Sequence, residues 1–244
     1  MQPPTDAAVR ARLGVIVPSV NTVVEPWFSR VVPDNVSVHA ARMFLSNDLS
    51  AAGIVEMDRT DGSRAIQQIA SCRPHAIAYC CTASSIVQGR AYDEHLRGAI
   101  TRATGAPATT ATDSILEAFR ALGISRVTAI SPYTEDVDAA EHRFLAAAGI
   151  DVISHGHLGI ADGFGLAAPD RTTIASLARQ VWDPRADGLL ITCLNMRSHE
   201  VADELESGLA RPVVTSTQAT LWRLMRLAGI GDRVSGFGRL LREH

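Results

Sequence analysis

Two cysteines stand at comparable places in this sequence, and cysteine is the residue type here with the most direct chemistry. Cys81 ends the apolar run "AIAYCC" and is followed by the hydroxyl-bearing segment "TASS". Cys193 ends the apolar run "GLLITC". A thiolate is a nucleophile, and a thiol can exchange its proton with a substrate carbon. A pair of such residues could therefore catalyse addition or proton transfer on a small molecule.

The other two cysteines, Cys72 and Cys80, are expected to be core residues. Side chains alternate along a strand, so Cys80 should point away from Cys81. Cys72 falls on the apolar stripe of a predicted helix. A disulfide between Cys80 and Cys81 would be strained. The sequence begins without the apolar run and cleavage site of a secretory signal, so we expect a cytoplasmic protein with reduced thiols.

The composition is typical of a globular protein. The chain has 244 residues, of which 46% are hydrophobic and 20% charged, and its formal net charge is -3. Nucleic acids and anionic membranes favour a basic face, and no apolar run reaches the roughly 18 residues of a membrane span. We expect no nucleic-acid or membrane partner. The predicted partners are a small-molecule carboxylate substrate and further copies of the chain, in a dimer or a tetramer.

Short apolar runs alternate with segments of helical periodicity, which predicts an α/β fold with parallel sheets. Several of these runs are apolar throughout, as strands covered on both faces must be. Three helices are expected to begin at Thr112 or Asp113, at Ser198 and at Ser216, and to end at the glycine that follows each. The predicted strands are 13–18, 36–41, 76–81, 126–131, 150–155 and 188–193.

A weak internal repeat relates the strand ends. Pro18 and Pro132 are 114 positions apart, and Cys81 and Cys193 are 112 apart. Two strand ends that share nearly one offset indicate two similar α/β halves, with the site in the cleft between them. The predicted first half is 12–111 plus 213–244, and the second is 112–212. We expect the halves to exchange their terminal helices.

Polar residues follow the same strand ends, which is where open parallel sheets bind ligands and where helix N-termini present free N–H groups. Each could instead only cap a helix, but their convergence on one edge predicts a polar pocket. The helix N-termini should also lower the pKa of the thiols. Arg197 is the nearest cation, so a carboxylate would depend on N–H groups, amides and hydroxyls. The candidates are Asn21, Thr22, Thr82, Ser84, Tyr133, Thr134 and Asn195.

Metal and nucleotide sites are weaker alternatives. His155 and His157, in "HGH", could lie on one face of a strand, but no Cys-x-x-Cys or His-Glu-x-x-His motif completes a zinc site. The segment "GFGLAAPD" (163–170) lacks the spacing of a dinucleotide-binding loop. We therefore predict no metal ligands.

Several segments together resemble the aspartate/glutamate racemase superfamily, in particular its maleate isomerase and arylmalonate decarboxylase branch. They are "GVIVPSVNTVVEP", "VHAARM", "AYCCTASS", "AISPYTEDV" and "ITCLNMRSHEVADELESG", and the similarity runs from about residue 12 to 230. The resemblance implies two pseudo-symmetric α/β halves and a cofactor-independent site between them. Racemases and maleate isomerases carry a cysteine in each half, whereas arylmalonate decarboxylases keep only the second. Cys81 and Cys193 together therefore favour an isomerase or a racemase.

The resemblance also implies roles for individual residues. Cys81, as a thiolate, would add to an alkene carbon of maleate and give a succinyl-cysteine intermediate, from which rotation and elimination release fumarate. Cys193 would donate and remove a proton at the neighbouring carbon, or would otherwise polarise the substrate. The carboxylates would be held by Asn21, Thr82, Ala83, Tyr133, Leu194 and Asn195 through side chains and backbone amides.

Other functions stay open at this point. The segment "CTASS", Leu194 after the second cysteine and Asp162 in "GIADGFG" all depart from the maleate isomerase pattern, so a related substrate is an alternative. Racemisation or decarboxylation next to a carboxylate is a second alternative. A third, of a different class, is a non-catalytic carboxylate-binding or regulatory protein.

Overall fold

The structure, a computed structural model, describes residues 9–46 and 49–244. It contains two four-stranded parallel sheets flanked by helices, which confirms the predicted α/β class. The strands are β1 (Ala11–Pro18), β2 (Val36–Met43), β3 (Ala76–Tyr79), β4 (Ala108–Thr110), β5 (Arg126–Ser131), β6 (Asp151–His157), β7 (Gly188–Ile191) and β8 (Val213–Thr215).

Helices connect nearly all of these strands. Within the described residues, none is both long enough and apolar enough to cross a membrane. They are α1 (Val24–Val31), α2 (Ala51–Ala70), α3 (Thr82–Gln88), α4 (Arg90–Thr104), α5 (Ala111–Leu122), α6 (Glu135–Ala147), α7 (Arg171–Val181), α8 (Ala202–Leu209), α9 (Ser216–Leu227) and α10 (Arg239–Glu243).

The two sheets have the same strand order, which confirms the internal repeat. The first runs β2-β1-β3-β4 and the second runs β6-β5-β7-β8. Strand β1 therefore corresponds to β5, and β3 corresponds to β7. All the paired strands are parallel, so the carboxyl ends of each sheet lie at one edge.

The central strands end earlier than the sequence predicts. Every residue of β3 and of β7 is buried, as the apolar runs indicate. Regular pairing stops at Tyr79 and at Ile191. Cys81 and Cys193 therefore lie two residues beyond their strands, in the loops that follow them. This equivalent placement is the structural basis of the repeat seen in the sequence.

Helix boundaries follow local capping. Helix α5 is capped by Thr110, whose side chain accepts from the backbone N–H of Asp113, rather than by Thr112 or Asp113. The reason is that β4 runs directly into the helix. The helix predicted from Ser198 is divided into a single 3₁₀ turn and α8. Thr215 and Gln218 form a capping box at the start of α9.

The short strands β4 and β8 have three residues each, too few for a sequence pattern to predict. Helix α9 leaves the second sheet and packs on β3 and β4 of the first, and α5 contacts β8. This is the expected exchange of helices. The predicted boundary at 213 assigns β8 to the first half, whereas β8 pairs with β7 in the second sheet. The division into halves otherwise stays a prediction.

A matched pair of glycine substitutions tests the backbone conformations that the structure assigns to the end of α5 and to the interior of α2. Gly123 ends α5 with φ +68°, so Gly123→Ala should destabilise the protein by about 1 kcal/mol. Gly62 lies inside α2, and no neighbouring atom is within 4 Å of the position that a Cβ would take there. Gly62→Ala should stabilise by about 0.5–1 kcal/mol. Urea unfolding of both variants measures the difference, and effects of the same sign would contradict the assignment.

Candidate active site

A cavity lies where the carboxyl ends of β1, β3, β5 and β7 meet. Its volume, counted as the space open to the centre of a water molecule, is about 60 Å³. One water needs ~10–15 Å³ by this measure, so the cavity has room for a small organic molecule. The residues predicted to form the site all line it: Asn21, Cys81, Thr82, Ala83, Tyr133, Cys193, Leu194 and Asn195. Thr134 lines it too, whereas Thr22 and Ser84 are not among its lining residues.

Cys81 is the residue that begins α3. It is buried and has extended backbone angles, and the helix starts at the next residue. The hydroxyl and the backbone N–H of Ser84 interact with the sulfur and lower its pKa. The first thiol thus faces the N-terminal turn of a helix, where N–H groups have no partners within the helix.

Cys193 has an unusual backbone. Its φ is +80°, a value that residues with a side chain rarely adopt. In this conformation the backbone N–H groups of Asn195 and Met196 interact with the sulfur, as does the Tyr133 hydroxyl, and all three lower its pKa. Backbone strain of this kind persists only where the surrounding structure enforces it, and it is concentrated at functional sites.

Burial is the largest influence on both thiols. It raises the pKa of Cys81 to about 12, with the negative charge of Asp58 as the second cause. It raises the pKa of Cys193 to about 11. The prediction that helix N-termini would give low thiol pKa values is therefore wrong. The N–H groups act in the predicted direction, but the loss of hydration outweighs them. Both residues are protonated thiols near neutral pH.

The remaining cysteines lie outside this chemistry. Cys80 also lines the cavity, but it packs into a different core cluster from Cys81, and burial raises the pKa of Cys80 further still. Cys72 is half-buried in the turn after α2, not on the helix as predicted. The helix ends early because Pro74 follows, and a proline disfavours helical geometry in the residue before it.

A half-buried carboxylate, Asp58, lies behind Cys81 and was not predicted. It accepts hydrogen bonds from Tyr79, from Ser84 at 3.0 Å, from Gln88 at 2.7 Å and from Tyr92 at 2.8 Å. Burial raises the pKa of Asp58, although these four donors oppose the shift. Ser84 is thus the link between the carboxylate and the first thiol.

The sequence did hold a signal for Asp58. The side chain lies on α2 directly after the buried Met57 and one turn after the buried Ile54, beside the apolar stripe of that helix. A carboxylate at the edge of an apolar stripe needs partners, because burying a charge without them is costly. No local motif indicates which partners it has, since they come from β3, α3 and α4.

A second buried carboxyl group, Glu141, lies behind Cys193. The side chain is 1% exposed, and its Oε2 accepts from the Thr192 hydroxyl at 2.8 Å. Its Oε1 is buried without a hydrogen-bond partner among the described residues. Burial raises the pKa of Glu141 to about 8, so the group is mostly protonated at neutral pH. Its position on α6 between Val137 and Phe144, both buried, was the overlooked signal.

The two asparagines of the site use their side chains differently. Asn21 accepts from the backbone N–H groups of Val23 and Val24 through Oδ1, which leaves Nδ2 for a ligand. The side chain of Asn195 accepts from the N–H of Thr22 and donates to the carbonyls of Val20 and Gly163. Asn195 therefore holds loops of the two sheets together, and its backbone N–H is the group directed at the second thiol.

The rest of the lining is apolar and carries no positive charge. Leucine and isoleucine side chains form much of it, and among the described lining residues there is no lysine or arginine. Arg197, the predicted nearest cation, is not a lining residue either. The apolar residues include Leu45, Leu49, Ile54, Ile160 and Leu166.

Comparisons with known proteins show the family to which the chain belongs. A family model described as arylmalonate decarboxylase matches residues 13–241. The arylmalonate decarboxylase of Bordetella bronchiseptica is 28% identical over 236 residues, which cover 93% of this chain and 97% of that protein. The maleate isomerase of Nocardia farcinica is 27% identical over 242 residues, which cover 95% of this chain and 96% of that protein.

A solved structure has the same fold. It is a mutant of the Nocardia farcinica maleate cis-trans isomerase with a covalently bound succinylcysteine intermediate. It matches with a TM-score of 0.91 at 24% identity and covers 96% of this chain and 99% of its own.

The raised pKa of Glu141 leads to a prediction about how the free energy of unfolding depends on pH. The usual value is 4.5 and the folded value is about 8. Between these pH values the unfolded chain loses the proton first, so the stabilising effect of the protonated form, complete below pH 4.5, disappears as pH rises to 8. Glu141→Gln keeps an acceptor for Thr192 but cannot ionise. One pKa unit corresponds to about 1.4 kcal/mol. The free energy of unfolding of Glu141→Gln, relative to that of the parent, should therefore increase by on the order of 3 kcal/mol as the pH rises through this range.

Urea unfolding at pH 5, 6.5 and 8 measures this difference. The matched control is Glu135→Gln, an exposed position in the first turn of the same helix. A constant difference between Glu141→Gln and the parent across the three pH values would show that the folded protein holds Glu141 ionised.

The charge on Asp58 makes a prediction for thiol reactivity. Because this charge raises the pKa of Cys81, Asp58→Asn should increase the thiolate fraction at a given pH. We expect Cys81 to be alkylated by iodoacetamide several-fold faster in the variant at pH 8, as followed by peptide mass spectrometry. Asp61→Asn, on the same helix, is the control. Equal alkylation rates in all three proteins would argue against a charged Asp58 beside the sulfur.

Proposed function

We propose, because the chain belongs to the arylmalonate decarboxylase family, that it is a cofactor-independent cis-trans isomerase of a small unsaturated dicarboxylate of the maleate type. The reaction proceeds through a covalent adduct on Cys81. The observation that carries the proposal is the pair of thiols, Cys81 and Cys193, placed at equivalent strand ends and lining one cavity. One thiol can form a bond to carbon while the other supplies a proton to the neighbouring carbon.

The relatives support this reading. The Nocardia farcinica enzyme named above is a maleate isomerase, and a mutant of it carries a succinylcysteine. A succinylcysteine is the product expected when a thiol adds across the double bond of a butenedioate. The same chemistry in this chain requires a nucleophilic sulfur and a proton donor, and Cys81 and Cys193 are the two lining residues that fit these roles.

Substrate binding depends on neutral donors, because the lining residues include no cation. One carboxylate is held by N–H groups at the start of α3 and the Thr82 hydroxyl. The other is held by Asn21 Nδ2 and the N–H groups that follow Cys193. In a cavity with little water these dipoles act strongly on charge, and they are already in place before the reaction.

Addition begins with the loss of the Cys81 proton. Ser84 lies between that thiol and Asp58, so the proton passes through the Ser84 hydroxyl to the carboxylate, whose pKa is raised. The sulfur forms a bond to one alkene carbon, and the π electron pair moves to the other carbon and into its carboxylate. Cys193 gives its proton to that carbon and becomes a thiolate. The result is a saturated thioether.

Isomerisation follows from rotation about the new single bond. The Cys193 thiolate, held by the N–H groups of Asn195 and Met196 and by Tyr133, removes the proton from the same carbon. The carbon–sulfur bond breaks and its electron pair returns to Cys81, while the double bond re-forms with the trans geometry. Cys81 then recovers its proton from Asp58. No net oxidation occurs, and no co-reactant is consumed.

A second candidate is decarboxylation or racemisation at a carbon next to a carboxylate, with Cys193 as the proton donor. Two observations favour it: the apolar lining formed by Leu45, Leu49, Ile54 and Ile160 would accommodate an aryl or alkyl group, and a decarboxylase is among the relatives. In decarboxylation Cys81 forms no bond to carbon and moves no proton, so its loss should be tolerated. Racemisation needs a thiol on each face of the carbon, so there the loss of Cys81 should abolish turnover.

The experiment is a proton NMR assay of the purified chain with maleate, substituted maleates and arylmalonates. We expect conversion of a maleate-type substrate, and a decrease of about 1000-fold or more in kcat for both Cys81→Ala and Cys193→Ala. Mass spectrometry of Cys193→Ser with substrate should locate an adduct on Cys81. Cys72→Ala, a half-buried cysteine outside the cavity, is the matched control.

The outcomes separate the two candidates. Turnover of an arylmalonate that survives Cys81→Ala but not Cys193→Ala would overturn the isomerase in favour of the decarboxylase. Solvent deuterium incorporated into a recovered saturated acid, without alkene turnover, would favour racemisation. Substrate conversion that survives both cysteine substitutions would exclude either mechanism.

A further inference from the structure

A second cluster with potential chemistry lies between α6 and the edge strand β6 of the second sheet, and none of its residues lines the cavity. Asp138 and His142 are one turn apart on α6, and His155 lies on the edge strand β6, which packs against that helix. Three atoms of these residues, one from each side chain, lie within 4.8 Å of one another. We propose that Asp138, His142 and His155 form a binding site for a divalent transition-metal ion such as Zn²⁺.

The two distances from Asp138 are close to those between the ligands of a tetrahedral ion. Asp138 Oδ2 is 3.5 Å from His142 Nε2 and 3.2 Å from His155 Nδ1. Two ligands bound to zinc at about 2.0–2.1 Å with tetrahedral angles are about 3.3 Å apart. The ring centroids of His142 and His155 are 4.3 Å apart, and the ring planes are nearly perpendicular. The rings therefore do not stack face to face, and a nitrogen of each can face the same ion.

The hydrogen bonds around the cluster also support a metal site. His142 Nε2 is buried and has no hydrogen-bond partner among the described residues, and such atoms need an explanation. The other oxygen of Asp138 accepts from the Ser131 hydroxyl at 2.7 Å, which fixes the carboxylate with Oδ2 facing the two rings. A carboxylate oriented from behind by a second hydrogen bond is the usual support of a metal ligand.

The burial of the cluster suits a site that is rigid yet open. The side chain of Asp138 is 5% exposed, that of His142 is 24% exposed and that of His155 is 52% exposed. An ion can therefore enter from the His155 side, and water can complete its coordination. Two imidazoles and one carboxylate are ligands that suit zinc and similar divalent ions.

Local sequence motifs could not show this site. His155 belongs to the "HGH" segment, but its partners are 13 and 17 positions earlier on a different element. The prediction of no metal ligands considered only ligands close in sequence, and the fold brings distant ones together. The proposed ion would link α6 to β6, and none of its three ligands lines the cavity, so its binding can be measured apart from the isomerase reaction.

The test is titration of the tag-free, EDTA-treated chain with Zn²⁺ by calorimetry and with Co²⁺ by visible absorption. We expect one ion per chain, and binding weakened by at least about 100-fold in His142→Ala and His155→Ala. His95→Ala, an exposed histidine of α4, is the matched control and should bind like the parent. Because His155 is half exposed on an edge strand, His155→Ala should fold normally, as circular dichroism can verify.

Two results would overturn the proposal. One is the absence of stoichiometric binding by the parent chain. The other is binding at a different site. Such binding would persist in both histidine variants, or it would show the sulfur-to-cobalt charge-transfer bands of a thiolate ligand and disappear in Cys81→Ser. Zn²⁺ should also raise the unfolding temperature of the parent but not of His155→Ala.

Discussion

The loss of hydration at two buried thiols is the constraint on which the rest of the site depends. Burial raises the pKa of both Cys81 and Cys193, so neither is a nucleophile as it stands. A reaction at either sulfur therefore needs groups that accept its proton or stabilise its negative charge. The surrounding structure supplies such groups in two forms: backbone N–H groups directed at the sulfurs, and the carboxyl groups of Asp58 and Glu141 behind them.

The duplicated fold explains why these groups occur twice. Each sheet has the same strand order, and in each the loop after the third strand carries a cysteine followed by free N–H groups. Parallel strands place these loops at one edge, so joining two halves edge to edge closes a cavity with a thiol from each. The side chain of Asn195, which binds loops of both halves, holds this closure together.

The site departs from the rules that the surrounding fold obeys. Cys193 has a backbone conformation that is unfavourable for a residue with a side chain, and Glu141 has a buried oxygen without a partner among the described residues. Each of these two features destabilises the folded state. The fully buried strands and the capped helices around the site provide the stability that offsets this cost. The departures lie beside the reacting groups, which is where a protein gains from holding atoms in positions they would not otherwise adopt.

Apolar runs, capping residues and strand ends are local signals, and they were enough to predict the α/β class, the repeat and six of the eight predicted site residues that line the cavity, while Ala83 and Leu194 followed from the family resemblance. They also indicated that Cys80 and Cys81 point apart. They could not predict the short strands β4 and β8, whose pairing depends on neighbours distant in sequence. Nor could they predict the protonation of the thiols, which depends on how completely the closed cavity excludes water. The contacts of Asp58, Glu141 and the cluster at Asp138 arise only in the folded chain, because their partners lie on other elements.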